Sequence, residues 1–321
     1  MKGPTDSQRR AGILYSLGAY VCWGLFPLYL HLIRKVSPLE FVLHRMMWSV
    51  IFVFAVLGFR RQWSWLRDAF GSWAIVGGFM ASAAVLSLNW FVFVWAAHAG
   101  RVVDASLGYF INPLVSVAMG AVFLKEKLRR AQGIAVVLAS LGVLWLVLQV
   151  GQVPWIGLTL ATSFATYGLL RKTARLGALE GLALETLLLA PIAVVAFGWL
   201  IAHGQSRFVS ADLPTRALMV LSGPVTAIPL LLFAAGTRRI PLSLVGLLQY
   251  VGPTLQLLVG VTVLGESFQS TKLVGYAFIW LAFGVASIDT WRAPHPGPAD
   301  QTNATLGRAF VRPSGRRGRN S

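Results

Sequence analysis

Ten stretches of 19 to 24 residues are almost continuously apolar: roughly 11–33, 39–58, 73–96, 103–124, 132–150, 155–173, 179–202, 216–236, 240–263 and 272–291. About 20 apolar residues in a helix cross the hydrocarbon layer of a bilayer. The runs do not alternate in ten-residue segments, so helices and not a barrel follow. Composition agrees, with 56% apolar and only 12% charged residues. A water-soluble globule carries about 25% charged residues, so this chain lacks the polar surface to coat itself. An all-α membrane protein with ten transmembrane helices is expected. The first run is long enough to span and shows no cleavable signal pattern.

Rare residues recur at a spacing of 140. Glu40 is matched by Glu180, Glu126 by Glu266, Pro113 by Pro253 and Gly120 by Gly260. Four of the chain's five glutamates repeating in step point to an internal duplication. Each copy holds five apolar runs, and an odd number forces the second copy upside down in a bilayer. The expected plan is a short cytoplasmic amino terminus (1–10), a first five-helix repeat (11–150), an inverted second repeat (151–291) and a basic, Pro- and Gly-rich tail (292–321) read as disordered. Inverted pairs of this kind are a transporter arrangement, with the solute site near the bilayer midplane.

The net charge of +17 suggests nucleic acid only until its placement is read. The basic residues lie between the apolar runs, and no RNA- or DNA-binding motif accompanies them, so no nucleic acid is expected. Fifteen Lys and Arg fall in loops on the amino-terminal side, Arg171 and Lys172 among them, and six on the opposite side. That bias places both termini in the cytoplasm and makes the protein multi-pass. In this reading Arg45 is the one basic residue within a span. Cys22, the single cysteine, excludes an internal disulfide framework and a Cys-rich metal site, and an inert packed thiol is expected. The Asn303-Ala304-Thr305 sequon is a chance match on a cytoplasmic tail.

Charge inside a span costs at least about 2–3 kcal/mol and so needs a reason. Arg45 lies near the start of the second run, and its 140-residue partner is Glu185 in the seventh. The two are expected at opposite mouths, as gate or coupling elements; the plainer alternative has Arg45 snorkel outward and Glu185 bond a neighbouring hydroxyl such as Thr186. Glu40 and His44 stand one helical turn apart, a spacing suited to a proton relay. A carboxylate at a helix N-terminus is also favoured for its own sake. Pro113 and Pro253 each free a backbone carbonyl four residues earlier, a matched helix break near the bilayer centre. Tyr109, Asn112, Gln249 and Tyr250 surround these prolines and are the expected solute-binding residues, with Asn89 and Trp90 as further lining. Trp23 and Tyr167 serve as aromatic walls or core packing. Glu126 and Glu266 read as solvated loop charges.

The segments Tyr20-Val21-Cys22-Trp23-Gly24-Leu25-Phe26-Pro27, His44-Arg45-Met46-Met47-Trp48-Ser49, Asn89-Trp90 and Ala105-Ser106-Leu107-Gly108-Tyr109-Phe110-Ile111-Asn112-Pro113-Leu114 resemble RarD proteins. Leu184-Glu185-Thr186-Leu187 and Leu248-Gln249-Tyr250-Val251-Gly252-Pro253-Thr254 continue the likeness, which covers most of residues 11–291. RarD is a branch of the EamA transporters within the drug/metabolite transporter superfamily. The resemblance implies a bacterial inner-membrane permease of two EamA repeats, with export favoured. It names no solute and transfers no catalytic residue.

The expectation is a secondary or facilitative transporter of small metabolites, amino-acid-like compounds or drugs, working by alternating access. Its partners are the solute and the lipid bilayer, with protons as one option for a coupling ion. No cofactor, metal or catalytic residue is expected, and no nucleotide-binding GxxxxGK[ST] loop is present. The alternatives are a membrane-embedded enzyme, against which the scattered histidines and the lack of an acidic cluster argue, and a structural or sensory membrane protein.

Overall fold

The computed structural model describes residues 6–61, 63–99, 101–265 and 270–292. Residues 1–5, Glu266 and the tail beyond 292, with its sequon, lie outside the described residues. Within them the chain is helical throughout: α1 (Asp6–Leu32), α2 (Pro38–Arg60), α3 (Trp65–Phe70), α4 (Trp73–His98), α5 (Val102–Phe123), α6 (Arg130–Val150), α7 (Trp155–Thr173), α8 (Ala178–Ala202), α9 (Leu213–Thr237), α10 (Leu242–Leu248), α11 (Val251–Thr262) and α12 (Leu273–Arg292). Each predicted run falls on one of these helices, with α10 and α11 sharing the ninth. The amphipathic turn α3 is additional. Local chemistry sets several starts: Ser37 accepts from the Glu40 N–H at 3.2 Å ahead of Pro38, and Asp212 accepts from the Thr215 N–H at 3.3 Å ahead of Leu213-Pro214.

Nine spans among the described residues are long and apolar enough to cross a membrane, with α10 and α11 together forming one. The tenth long helix, α7, is more polar because it runs through protein. It packs on α4, α5 and α9, and Ser163, Tyr167 and Arg171 are all buried along it. Its outward hydroxyls are satisfied locally, with Thr159 and Thr166 each donating to a carbonyl one turn back at 2.8 Å.

The helix pairing repeats when the halves are exchanged. α1 packs on α9 and α11, as α7 packs on α4 and α5. The pairs α2–α8, α5–α10 and α6–α12 map onto themselves. Each of the last two runs antiparallel. Arg129 meets Asp289 at 3.2 Å while Trp145 donates to the Thr271 carbonyl at 2.9 Å, so one number climbs as the other falls. Likewise Tyr250 donates to the carbonyl of Phe110 at 3.4 Å, and Glu126, just past the end of α5, reaches Leu242 at the start of α10. Phe110 and Tyr250 are themselves 140 residues apart, as contact on a twofold axis requires. Equivalent helices running in opposite senses is the geometry of inverted copies.

The matched helix break is seen in one copy only. α10 gives way to α11 at Gln249–Tyr250, where the carbonyl freed by Pro253 accepts from the Gly252 N–H at 3.0 Å. α5 runs through Pro113 uninterrupted. It is held along its length by α7, where Gly108 lies against the Gly157 backbone, and by α10, where Gly246 lies against the Pro113 carbonyl. Cys22 also departs from expectation: its thiol is exposed on α1 and is not packed in protein.

α6 and α12 close the pseudo-symmetric pair through glycine. A Cβ on Gly142 would stand 2.6 Å from the Gly275 carbonyl and 2.9 Å from Ile279, whereas one on Gly133, earlier in α6, would meet nothing within 4 Å. Such backbone approach is how membrane helices gain contact where lipid supplies no hydrophobic drive. Gly142→Ala should therefore destabilise by roughly 1–3 kcal/mol through overpacking. Gly133→Ala should be neutral or gain up to about 1 kcal/mol of helix propensity. Thermal unfolding of the two variants in one detergent checks the opposite signs.

Candidate functional site

Arg45 and Glu185, equivalent by the 140-residue offset, each anchor a polar node, the first between five helices and the second between three. Around Arg45, Nε donates to Thr226 of α9 at 2.9 Å. The rings of Phe26, Phe41 and Trp90 lie 5.3, 5.6 and 4.9 Å from the guanidinium carbon. The phenols of Tyr29 and Tyr109 are within electrostatic reach. No described carboxylate pairs with Arg45, and the side chain is only half-buried. Tyr109 is 36% exposed although it sits well inside α5.

Around Glu185, Oε1 accepts from Ser82 of α4 in a short hydrogen bond and faces Arg171 Nη1 at 3.6 Å, and Oε2 accepts from Tyr167 of α7 at 3.3 Å. Arg171 also donates to the Ala178 carbonyl at 2.9 Å and stacks over Phe79. All four side chains of this node are no more than 2% exposed. The two nodes share a plan: a hydroxyl from the neighbouring α9 or α4, and a tyrosine from α1 or α7. One stands open and the other is sealed.

This corrects two sequence readings. Arg171 is not a loop charge. It points inward from the last turn of α7 and gives Glu185 an ion-pair partner. Thr186 does not serve Glu185, because its hydroxyl donates to the Leu182 and Ala183 carbonyls of its own helix. A recess of about 10 Å³ lies between the nodes, lined among others by Trp90, Thr226, Thr186 and Glu185. That is scarcely room for one water. Beside it, Trp23, Phe164, Tyr167 and Phe233 interlock, with ring centroids 5.2 to 6.0 Å apart. Trp23 and Tyr167 thus belong to one plug between α1, α7 and α9.

The other named residues separate into groups. Asn112, Gln249 and Tyr250 are buried where α5 meets α10, and Asn112 accepts from the Ser116 hydroxyl at 3.3 Å. Tyr109 faces the Arg45 node instead. Asn89 donates to the Leu160 carbonyl and the Ser163 hydroxyl, both at 2.9 Å, tying α4 to α7, while its neighbour Trp90 covers Arg45.

Glu40 and His44 are both sealed, at 0% and 1% exposure. Glu40 accepts from Ser206 Oγ at 2.7 Å and the Phe208 N–H at 3.1 Å, so it holds the α8–α9 loop as well as its own helix start. His44 Nε2 lies 3.9 Å from Glu40 Oε1, and Nδ1 is the acceptor for the Trp48 indole at 3.1 Å. His44 Nε2 and Glu40 Oε2 have no hydrogen-bond partner.

Sequence reading missed a clamp on the amino-terminal side. Glu126 is no solvated loop charge: it caps α10, accepting from the Leu242 and Ser243 N–H groups at 2.7 and 2.9 Å and from Ser243 Oγ at 2.8 Å. Lys172 stands 3.7 Å from it and donates to the Thr237 and Ile240 carbonyls. Arg238 donates to the carbonyls of Ala174 and Leu176. The signal for Glu126 was its exact recurrence at 140 residues.

The sealed pair predicts a non-additive response. Glu185→Gln or Arg171→Met alone strands a buried charge and should cost roughly 3–5 kcal/mol. The double variant should recover most of that loss in thermal unfolding. Simple addition of the two losses would dismiss the ion pair.

Comparison with known proteins gives the lineage of this arrangement. The model of the EamA-like transporter family matches residues 10–148. A protein of Pseudomonas aeruginosa described as an uncharacterized transporter is 43% identical over 295 residues, covering 90% of this chain and 98% of its own. Protein RarD of Streptomyces exfoliatus is 42% identical, covering 89% of this chain and 91% of its own. Protein RarD of Escherichia coli K12 is 39% identical, covering 88% and 95%. One crystal structure superposes with a TM-score of 0.66 at 18% identity, covering 88% of this chain and all of the other, a likeness of fold alone.

Proposed function

Because the chain belongs to the RarD family of EamA-type transporters, we propose that it carries small metabolites, amino-acid-like compounds or drugs across the membrane by alternating access. It is a multi-pass membrane protein of transporter lineage, and the mechanism is our reading. One observation carries it: of two nodes related by the repeat, the Arg45 node is open and the Glu185 node is sealed by an ion pair, an aromatic plug and the Glu126 clamp. That asymmetry supports a carrier that opens to one side at a time.

In this reading residues 11–150 and 151–291 are the two EamA repeats, placed in the bacterial inner membrane with both termini cytoplasmic. The open Arg45 side then faces outward. Tyr109, Trp90 and Asn89 line the open node. Asn112, Gln249 and Tyr250, at the α5–α10 contact, become reachable as the bundle rocks, with Pro113 and Pro253 beside them. Arg45 and Glu185 mark the two ends of the path, and the protein acts without catalysing a chemical change.

Two experiments test this. Cells lacking or overproducing the protein should differ in at least one small metabolite that also crosses proteoliposomes holding the purified chain; no such flux would leave the enzymatic or structural alternative. In a Cys22→Ser background, an impermeant maleimide should label Tyr109→Cys from the outside and Ser82→Cys from the inside only. Labelling of both from one face would defeat the alternating path.

A second observation favours protons as the coupling ion. His44 and Glu40 form a buried acid–base pair, 3.9 Å apart at Nε2 and Oε1, beside the loop that joins α8 to α9, and His44 Nε2 and Glu40 Oε2 have no hydrogen-bond partner. His44→Gln should abolish the dependence of flux on an imposed pH gradient while leaving downhill exchange intact. An unchanged dependence would remove proton coupling through this pair.

A further inference from the structure

Two arginines project into the bundle, and they are compensated differently. Arg171 has a carboxylate, a carbonyl and an aromatic face. Arg45 has three aromatic faces and one hydroxyl but no described carboxylate. A guanidinium carries five N–H donors in a planar fork. Only Nε is used, on Thr226. The two terminal nitrogens have no acceptor among the described residues, and they are not sealed from the open side. Ring faces attract the cation but offer its N–H groups no oxygen or nitrogen acceptor. The fold thus leaves both terminal nitrogens to a ligand, and two N–H groups of a guanidinium fork match two carboxylate oxygens. Tyr109, 36% exposed and within electrostatic reach, presents a phenol to the same space, whereas Tyr29 spends its hydroxyl on the Leu218 carbonyl.

We propose that Arg45 is the receptor for a single carboxylate on the transported solute, whose apolar or aromatic body rests on Phe26, Phe41 and Trp90. The inference rests on the transport reading and narrows its substrate class. One uncompensated positive charge is neutralised by a monoanion. A dianion would leave one charge uncovered at low dielectric, and an amine would meet repulsion. No described carboxylate stands free beside Arg45 to pair with an ammonium, and Glu185 across the recess is already paired with Arg171. Monocarboxylates without an ammonium are therefore favoured over zwitterions.

The test uses the purified full-length protein and a matched series: benzoate, phenylacetate, indole-3-acetate and N-acetylphenylalanine, with phenylacetamide, phenylethylamine, phenylalanine and inorganic phosphate as comparators. At least one of the four acids should raise the unfolding temperature and bind measurably by calorimetry, while its comparators do not. Arg45→Gln should weaken that acid roughly tenfold or more, the loss of a charged hydrogen-bonded pair, and Arg45→Lys should fall between. Arg45→Met should itself unfold at an equal or higher temperature than the parent, because it removes an unpaired charge. A structural arginine would lower it. Binding of the amide as tight as the acid, acid binding unchanged in Arg45→Gln, or no binding by any of the four acids would overturn the proposal.

Flux in proteoliposomes separates it from the transport reading. An acid that binds through Arg45 and never crosses defeats transport and leaves the site standing. Solutes that cross equally well through Arg45→Gln defeat the site and leave transport standing.

Discussion

An ionised side chain within a lipid-embedded bundle must have its charge answered, because no bulk water is there to do it. Most of the polar architecture follows from that demand. Glu185 and Arg171 answer each other, with Ser82 and Tyr167 completing the carboxylate's shell. Glu126 answers the exposed N–H groups that begin α10, and Lys172 answers the carbonyls that end α9 and the Ile240 carbonyl beyond. Glu40 does the same for the chain reversal at Phe208. Three of these contacts, Ser82–Glu185, Glu126–Ser243 and Glu40–Phe208, also tie one repeat to the other, so there compensating the charge and joining the halves are one act. Arg45 differs from Arg171 in having no carboxylate beside it among the described residues.

Much of the frame was legible before any coordinates. Run length gave the helices, and the recurrence of Glu40, Glu126, Pro113 and Gly120 gave the pairing of halves that α6–α12 and α5–α10 display. Depth along a helix was readable too, which is why Arg45 and Glu185 stood out. Azimuth was not. Helices apolar on every side carry no stripe to say which face meets protein. So Asn112, Gln249 and Tyr250 were grouped with Tyr109 by proximity in sequence, although the first three face α5–α10 packing and the last faces Arg45. Arg171 was misjudged for a related reason: one turn inside a helix end, a long side chain reaches water or core equally well. Only a partner decides, and Glu185 lies on a different helix.

The recurrence of two prolines also promised more symmetry than the fold delivers. A proline removes one hydrogen bond in both copies, but whether the helix breaks depends on what grips it. α5 is gripped by α7 through Gly108 and by α10 through Gly246. At Gln249–Tyr250 the backbone closes a tighter turn instead. A proline at equivalent positions thus sits in an unbroken rod in one half and a jointed one in the other. A joint on one side of the axis gives the bundle a place to flex without unpacking the rest.

The sealed node suits a gate for an energetic reason. A greasy seal of equal area would have to expose apolar surface to water each time it opened. An ion pair such as Glu185–Arg171 loses its Coulombic attraction on opening but regains the hydration that burial had denied both groups, and these large terms nearly cancel. The lock is therefore costly to mutate on one side and cheap to open as a pair. In the proposed cycle the aromatic plug beside it would exclude solute, while the ion pair would supply a closed state that is specific without being deep. A solute bound at Arg45 needs only a modest difference in affinity between the two states to tip such a balance, since a ligand shifts an equilibrium by that difference and no more. In the proposed cycle, strong charge at both ends of an inverted frame, paired at one and without a carboxylate at the other, would make the binding step and the gating step draw on the same physics.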